Sequence, residues 1–79
     1  MQIITPHQCR KARSLLNMSA YQLAERANID IAIVVVMETD NSQLQINVRE
    51  VQAVYDVLVK SGIWFVGTNR VRLLKHERR

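Results

Sequence analysis

Helix-capping signatures recur along the first sixty residues, and they constrain the fold more than any other feature of the sequence. Residues 5–8 read Thr-Pro-His-Gln, with a capping threonine, a proline at the first helical position and a glutamine at the third. Residues 19–22 (Ser-Ala-Tyr-Gln) and 47–50 (Asn-Val-Arg-Glu) repeat this pattern, in which a capping residue is followed three positions later by glutamine or glutamate. Apolar residues follow each signature at helical spacing. The predicted helices span about residues 6–16, 20–27 and 48–60.

A run of apolar residues at 31–37 (Ile-Ala-Ile-Val-Val-Val-Met) gives conflicting indications of its secondary structure. Its β-branched residues favour a strand by propensity alone. However, Asp30 can cap a helix directly before the run, and the polar residues 39–42 are typical of a loop after it. We therefore predict a third helix over about residues 31–38, with a buried strand as the alternative.

The spacing of the apolar residues changes after Gly62, from the period of a helix to that of a strand. Gly62 itself lies just after the predicted helix, where glycine is favoured. Residues 63–66 and 70–74 read as two strands joined by a turn, so a C-terminal β-hairpin is predicted. Because a lone hairpin is marginal in water, it must pack on the helices or pair with a second copy in a homodimer. The expected fold is a mainly α, four-helix domain over residues 1–79 with a C-terminal hairpin and a basic tail at 75–79.

Composition disfavours several classes of protein. The single cysteine, Cys9, cannot form an internal disulfide, and we expect it to fill a small core position in a reducing, cytoplasmic environment. The longest apolar run, residues 31–37, is too short to cross a membrane. The sequence also lacks a Ser/His/Asp set, a recognisable carboxylate pair and a glycine-rich phosphate loop, so we expect neither an enzyme nor a cofactor.

His7 and Trp64 are two further candidates for functional residues. His7 lies two positions from Cys9 and therefore on a different face of the helix, which disfavours a metal site. Trp64, the sole tryptophan, is expected to anchor the core rather than to lie exposed as a reader of a ligand.

The net charge of +4 is unevenly distributed. Residues 70–79 contain five basic residues and one acidic residue, whereas residues 19–40 contain one basic and four acidic residues. A protein that reads nucleic acid usually has a basic stripe on its docking face. The middle of this chain lacks such a stripe.

Residues 19–38 nevertheless carry a recognisable pattern. Its members are the cap at Ser19, then Gln22, Leu23, Ala24 and Ala27, the turn at Asn28 and Ile29, then Val34, Met37 and Glu38. The pattern resembles the lambda-repressor-like (Cro-type, xenobiotic-response-element) helix-turn-helix family of transcriptional regulators. Residues 5–13 and 61–73 resemble the opening and closing segments of its small single-domain bacterial members. The resemblance implies a cytoplasmic transcriptional regulator, such as a repressor, that binds double-stranded DNA as a homodimer.

The resemblance also implies which residues form the site. The third helix would enter the major groove, and an arginine of the first helix would pair with a glutamate that ends the third, here Arg13 and Glu38. The residues expected to contact DNA are Ser19, Gln22, Ile31, Ala32, Val35, Asn41, Ser42 and Gln43. The chain departs from the family pattern at Ala20, where a phosphate-contacting glutamine is usual, and at Asn28, where a glycine is common.

The most serious departure is the apolar third helix. Family members have polar residues at its outward positions, which here are Ile31, Ala32, Ile33, Val35 and Val36. Aliphatic side chains can contact only the thymine methyl group among base edges. The aliphatic face could instead be covered by Trp64 and Phe65 of the same chain, by a second copy, or by another protein.

Two functional hypotheses follow. The first is a DNA-binding transcriptional regulator. The second is a helix-turn-helix scaffold that binds a regulatory protein through residues 31–33, 35 and 36, and so acts as an antiactivator or antirepressor.

Overall fold

The computed structural model describes residues 4–39, 47–67 and 69–74 and is mainly helical, which confirms the predicted fold class. Its elements are α1 (Pro6–Leu16), α2 (Ala20–Ala27), α3 (Ile31–Met37), α4 (Val48–Lys60), β1 (Ile63–Val66) and β2 (Arg70–Leu73). The predictions for α3 and β2 were each one residue too long. Glu38 is the C-cap of α3, and Leu74 lies beyond β2, although its N–H still donates to the carbonyl of Gly62 at 2.7 Å.

The first two helices begin and end where the capping signals place them. Thr5 and Ser19 both form complete capping boxes, with Gln8 and Gln22 respectively. The two helices end at Asn17 and Asn28, whose left-handed φ angles of 56° and 60° reverse the chain sharply. The signature before α4 forms differently, because the side chain of Asn47 accepts from the second helical amide, that of Arg49, and not from the third.

The aliphatic run at 31–37 is helical, so the alternative of a buried strand is wrong. The carboxylate of Asp30 accepts a hydrogen bond from the amide of Ala32 at 2.8 Å and begins the helix. Val34 and Met37, three positions apart, are buried in the core. Burial of two such side chains stabilises the helix by about 1.5–3 kcal/mol each, which exceeds the weak penalty that β-branched residues impose on helices.

The core lies where α2 packs against α3 and α4. Its largest fully buried apolar side chains are Leu23, Leu58, Val34 and Val54. Cys9 is also fully buried, as predicted for a small core residue.

The hairpin closes the core on the side of α1 and α4. Ile63 and Phe65 alternate inward along β1, and the ring of Phe65 stacks on that of Tyr55 in α4, with centroids 5.4 Å apart. Trp64 lies between them and is 58% exposed, so its prediction as a core anchor was wrong. The period of two in a strand explains this, because Ile63 and Phe65 occupy the inner face and Trp64 must then face outward.

Gln8 fastens the hairpin to α1. Its side chain is fully buried, and its Oε1 accepts from the amide of Thr5 at 3.1 Å as part of the capping box. Its Nε2 donates to the carbonyl oxygens of Gly67 and Arg70, both at 3.1 Å. One side chain therefore caps a helix and holds the turn of the hairpin, where Gly67 has a left-handed φ of 64°.

Candidate nucleic-acid interface

The second and third helices form a compact helix-turn-helix unit. Three residues separate α2 from α3, and the first of them, Asn28, has the left-handed conformation that allows the abrupt change of direction. The amide of Ile29 donates to the carbonyl of Ala24 at 3.0 Å, and its side chain packs on the edge of the core. The turn is thus fixed by backbone hydrogen bonds and by packing.

The outer face of α3 is apolar, and the described residues leave it exposed. Ile31 is 41% exposed, Val35 is 53% exposed, and Ala32 is exposed beside them. Their side chains carry no hydrogen-bond donor or acceptor. We refer to Ile31, Ala32 and Val35 as the α3 patch.

The α3 patch is smaller than the outward surface expected from the sequence. Ile33 and Val36 are half-buried, and Ile33 packs against the core. Successive helical residues turn by about 100°, so a helix whose core contacts are Val34 and Met37 brings Ile33 partly inward. The expectation that Ile33 faces outward was therefore wrong, whereas Val36 is half-buried but is not among the residues that pack against the core.

The hairpin does not seal the α3 patch. Phe65 stacks on α4, and Trp64 is itself exposed. The explanation in which these two aromatic residues fold over the third helix is therefore wrong.

Two of the polar residues expected to contact DNA, Ser19 and Gln22, lie at the start of α2. Ser19 and Gln22 are both exposed and bond to each other's backbone amides, at 3.0 and 2.9 Å, which fixes their side chains. They also border a cleft of ≈ 350 Å³ between α1 and α2. Asn41, Ser42 and Gln43, and the basic tail at 75–79, lie outside the described residues.

The predicted ion pair between Arg13 and Glu38 is confirmed. The Nε of Arg13 lies 2.6 Å from Oε2 of Glu38, and its second terminal nitrogen donates to Oε1 at 2.7 Å. The Glu38 side chain is 9% exposed. Hydrogen bonding to this carboxylate raises the pKa of Arg13 further, so the guanidinium stays charged. Arg10 also donates to the backbone carbonyl of Glu38, and α3 is thereby held to α1 at its C-terminal end.

Cys9 also contacts Glu38, and this contact was not predicted from the sequence. Its Sγ donates to Oε2 of Glu38 at 3.2 Å. Burial raises the pKa of the Cys9 thiol, and the charge of Glu38 raises it further. The available signal was spacing, because Cys9 and Arg13 are four positions apart and therefore share a face of α1.

We expect the Cys9 thiol to make the free energy of unfolding depend on pH in the alkaline range. In the unfolded chain an ordinary thiol loses its proton above about pH 8.5, whereas the buried thiol retains it. The unfolded state then binds fewer protons, so the free energy of unfolding falls as pH rises. We expect this group to contribute a decline of about 1 kcal/mol between about pH 9 and 10. Urea unfolding at several pH values measures it, and Cys9→Ala serves as the control. Equal slopes in the two proteins would contradict the expectation.

Residues 4–39, 47–67 and 69–74 contain no group of three His, Cys, Asp or Glu side chains placed to bind a metal ion. Within the same residues, no helix is both long enough and apolar enough to cross a membrane.

Comparison with known proteins adds no assignment. No protein-family model and no curated protein sequence matches the chain.

Proposed function

We propose that this chain is a small cytoplasmic transcriptional regulator that binds duplex DNA through its helix-turn-helix unit. The observation that carries the proposal is the α3 patch, which is exposed among the described residues while α3 is held at both ends. Asp30 caps its first turn, and Arg10 and Arg13 of α1 hold its C-cap residue, Glu38. A helix that is rigidly held and exposed along one side is the element that a major groove admits.

The chemistry of the patch determines what it can read. Ile31, Ala32 and Val35 offer methyl groups, which complement the C5-methyl of thymine and no other base edge. Ser19 and Gln22, exposed at the start of α2, supply polar groups for the phosphate backbone beside the groove. We therefore propose modest preference for thymine-containing sites, with two copies of the chain binding a two-fold operator.

Substitutions at Val35 test this proposal by the sign of the introduced charge. We expect Val35→Glu to weaken duplex binding by about tenfold or more, because it places a carboxylate against phosphates, and Val35→Lys to strengthen binding. Val35 is 53% exposed, so neither change should unfold the chain. Val59→Glu, on α4 at 42% exposure, is the matched control and should leave duplex affinity unchanged. Fluorescence anisotropy with labelled duplex at several salt concentrations measures the affinities.

A second function is favoured by the absence of any polar side chain in the α3 patch. An exposed apolar helix face without donors also suits a hydrophobic groove on another regulatory protein. In that case Val35→Glu and Val35→Lys both abolish the complex, since each buries an unpaired charge. Equal loss with both charges, together with no binding of duplex at low salt, would replace the first proposal with the second.

A further inference from the structure

The outer face of the hairpin combines apolar and basic side chains. The antiparallel register places Trp64 opposite Arg72 and Val66 opposite Arg70. Directly paired residues lie on the same side of a sheet, and this side is opposite to the buried Ile63 and Phe65. We refer to these four residues, Trp64, Val66, Arg70 and Arg72, as the hairpin face. It consists of an apolar column on β1 beside a basic column on β2.

The charges of the hairpin face are not neutralised within the described residues. Arg70 and Arg72 are both exposed. In that part of the chain, Arg13 and Glu38 are the only pair within ion-pair distance. The two guanidinium groups are therefore available to an external anion.

The same charges restrict what can cover the face. A second copy docked face to face would set arginine against arginine, which is unfavourable. A purely apolar partner would bury two guanidinium groups without counter-charges, which is more costly still. A nucleic acid fits both columns, because phosphates pair with arginine while sugar and base rings pack on an indole.

The hairpin is also rigid enough to act as a docking element. Gln8 holds its turn through two hydrogen bonds, and Phe65 fixes β1 on α4. A two-stranded ribbon has dimensions that the DNA major groove accepts. The face further supplies what α3 lacks, since each guanidinium is a fork of N–H donors.

We propose that the hairpin face is a second nucleic-acid contact, in which Arg70 and Arg72 bind phosphates of the duplex and Trp64 packs against its sugars or bases. The inference rests on the proposed function, since the partner is the same duplex. It assigns to the hairpin the positive charge that the helix-turn-helix unit does not provide.

The sole tryptophan makes the contact directly measurable. Because Trp64 is the only tryptophan, intrinsic fluorescence reports on this face alone. We expect duplex to quench or shift the emission at low salt, with the same midpoint as the anisotropy titration. Poly-glutamate, an anion without rings, is expected to produce no such change. A response to poly-glutamate alone would identify an acidic protein as the partner and overturn the proposal.

Charge substitutions measure the phosphate contacts. Arg72→Gln and Arg70→Gln should each reduce the slope of log affinity against log salt by about 0.9. Arg72→Lys retains the charge and should restore the slope. Lys60→Gln, which removes a positive charge from the end of α4, should leave the slope unchanged. Circular dichroism checks that each variant is folded.

The outcomes separate this inference from the proposed function. Duplex binding that depends on Val35, with unchanged tryptophan emission and unchanged salt slopes in the arginine variants, overturns the hairpin contact and leaves the proposed function standing. A tryptophan response and reduced slopes, without any effect of Val35→Glu, support the hairpin contact and overturn the role of α3. Absence of duplex binding at low salt overturns both.

Discussion

Replacing Gln8 with glutamate is expected to reduce the free energy of unfolding by about 3 kcal/mol, since buried hydrogen bonds are lost and an unpaired charge is buried. The Nε2 donor, which serves two carbonyl oxygens, becomes a carboxylate oxygen directed at those same carbonyls. The side chain is fully buried, so water cannot replace the lost partners. Chains of this size are stable by roughly 4–12 kcal/mol, and the loss is therefore a large fraction of the total.

Gln22 provides a matched control for this experiment. It occupies the same position in the second capping box as Gln8 does in the first, but it is exposed. Glutamate is favourable at that position of an exposed box, so Gln22→Glu should change stability by less than about 0.5 kcal/mol. Urea unfolding followed by circular dichroism measures both variants. Similar effects at the two positions would show that the hydrogen bonds from Gln8 to the hairpin do not stabilise the fold.

Loss of the Glu38 charge is the second change with a large expected effect. Glu38→Gln should reduce the free energy of unfolding by about 2–3 kcal/mol, because it leaves the Arg13 guanidinium partly buried without a counter-charge. The estimate lies below the range for fully buried pairs since the Arg13 side chain is 21% exposed. Arg13→Met should be similarly destabilising, because it leaves the carboxylate beside Cys9.

A double-mutant cycle isolates the Arg13–Glu38 interaction. If the two groups act as a pair, the double variant loses less stability than the sum of the two single variants. Arg10→Met is the control, because Arg10 is exposed and bonds only to the backbone carbonyl of Glu38 among its described contacts. It should cost less than about 1 kcal/mol. Additive effects of Arg13→Met and Glu38→Gln would show that the pair is not coupled.

The parts of the fold that local chemistry determines were predictable from the sequence. Capping residues act within one turn, so the starts of α1 and α2 and their ends at Asn17 and Asn28 could be placed to the residue. The helix at residues 31–37 could be predicted from its caps and from its short distance to α2, both of which are visible in the sequence. The Arg13–Glu38 pair came from the family resemblance and not from spacing.

The errors arose where distant parts of the chain decide the outcome. The hydrogen bonds of Gln8 span 59 and 62 residues, and no local pattern marks them. Trp64 was misplaced because an all-apolar strand has no polar alternation to show which side faces the core. Ile33 was misplaced for the same reason, since a helix with no polar residues has no visible boundary between its faces.

The division of α3 into two faces has a consequence for how such a chain can change. Val34 and Met37 are buried in the core, whereas Ile31, Ala32 and Val35 are exposed. Under the proposed function, recognition would therefore depend on three positions that leave much of their surface exposed, within a helix that the core holds in place. A lineage could exchange one ligand for another at these positions while its melting temperature stayed almost constant, so divergence in specificity would leave little trace in stability.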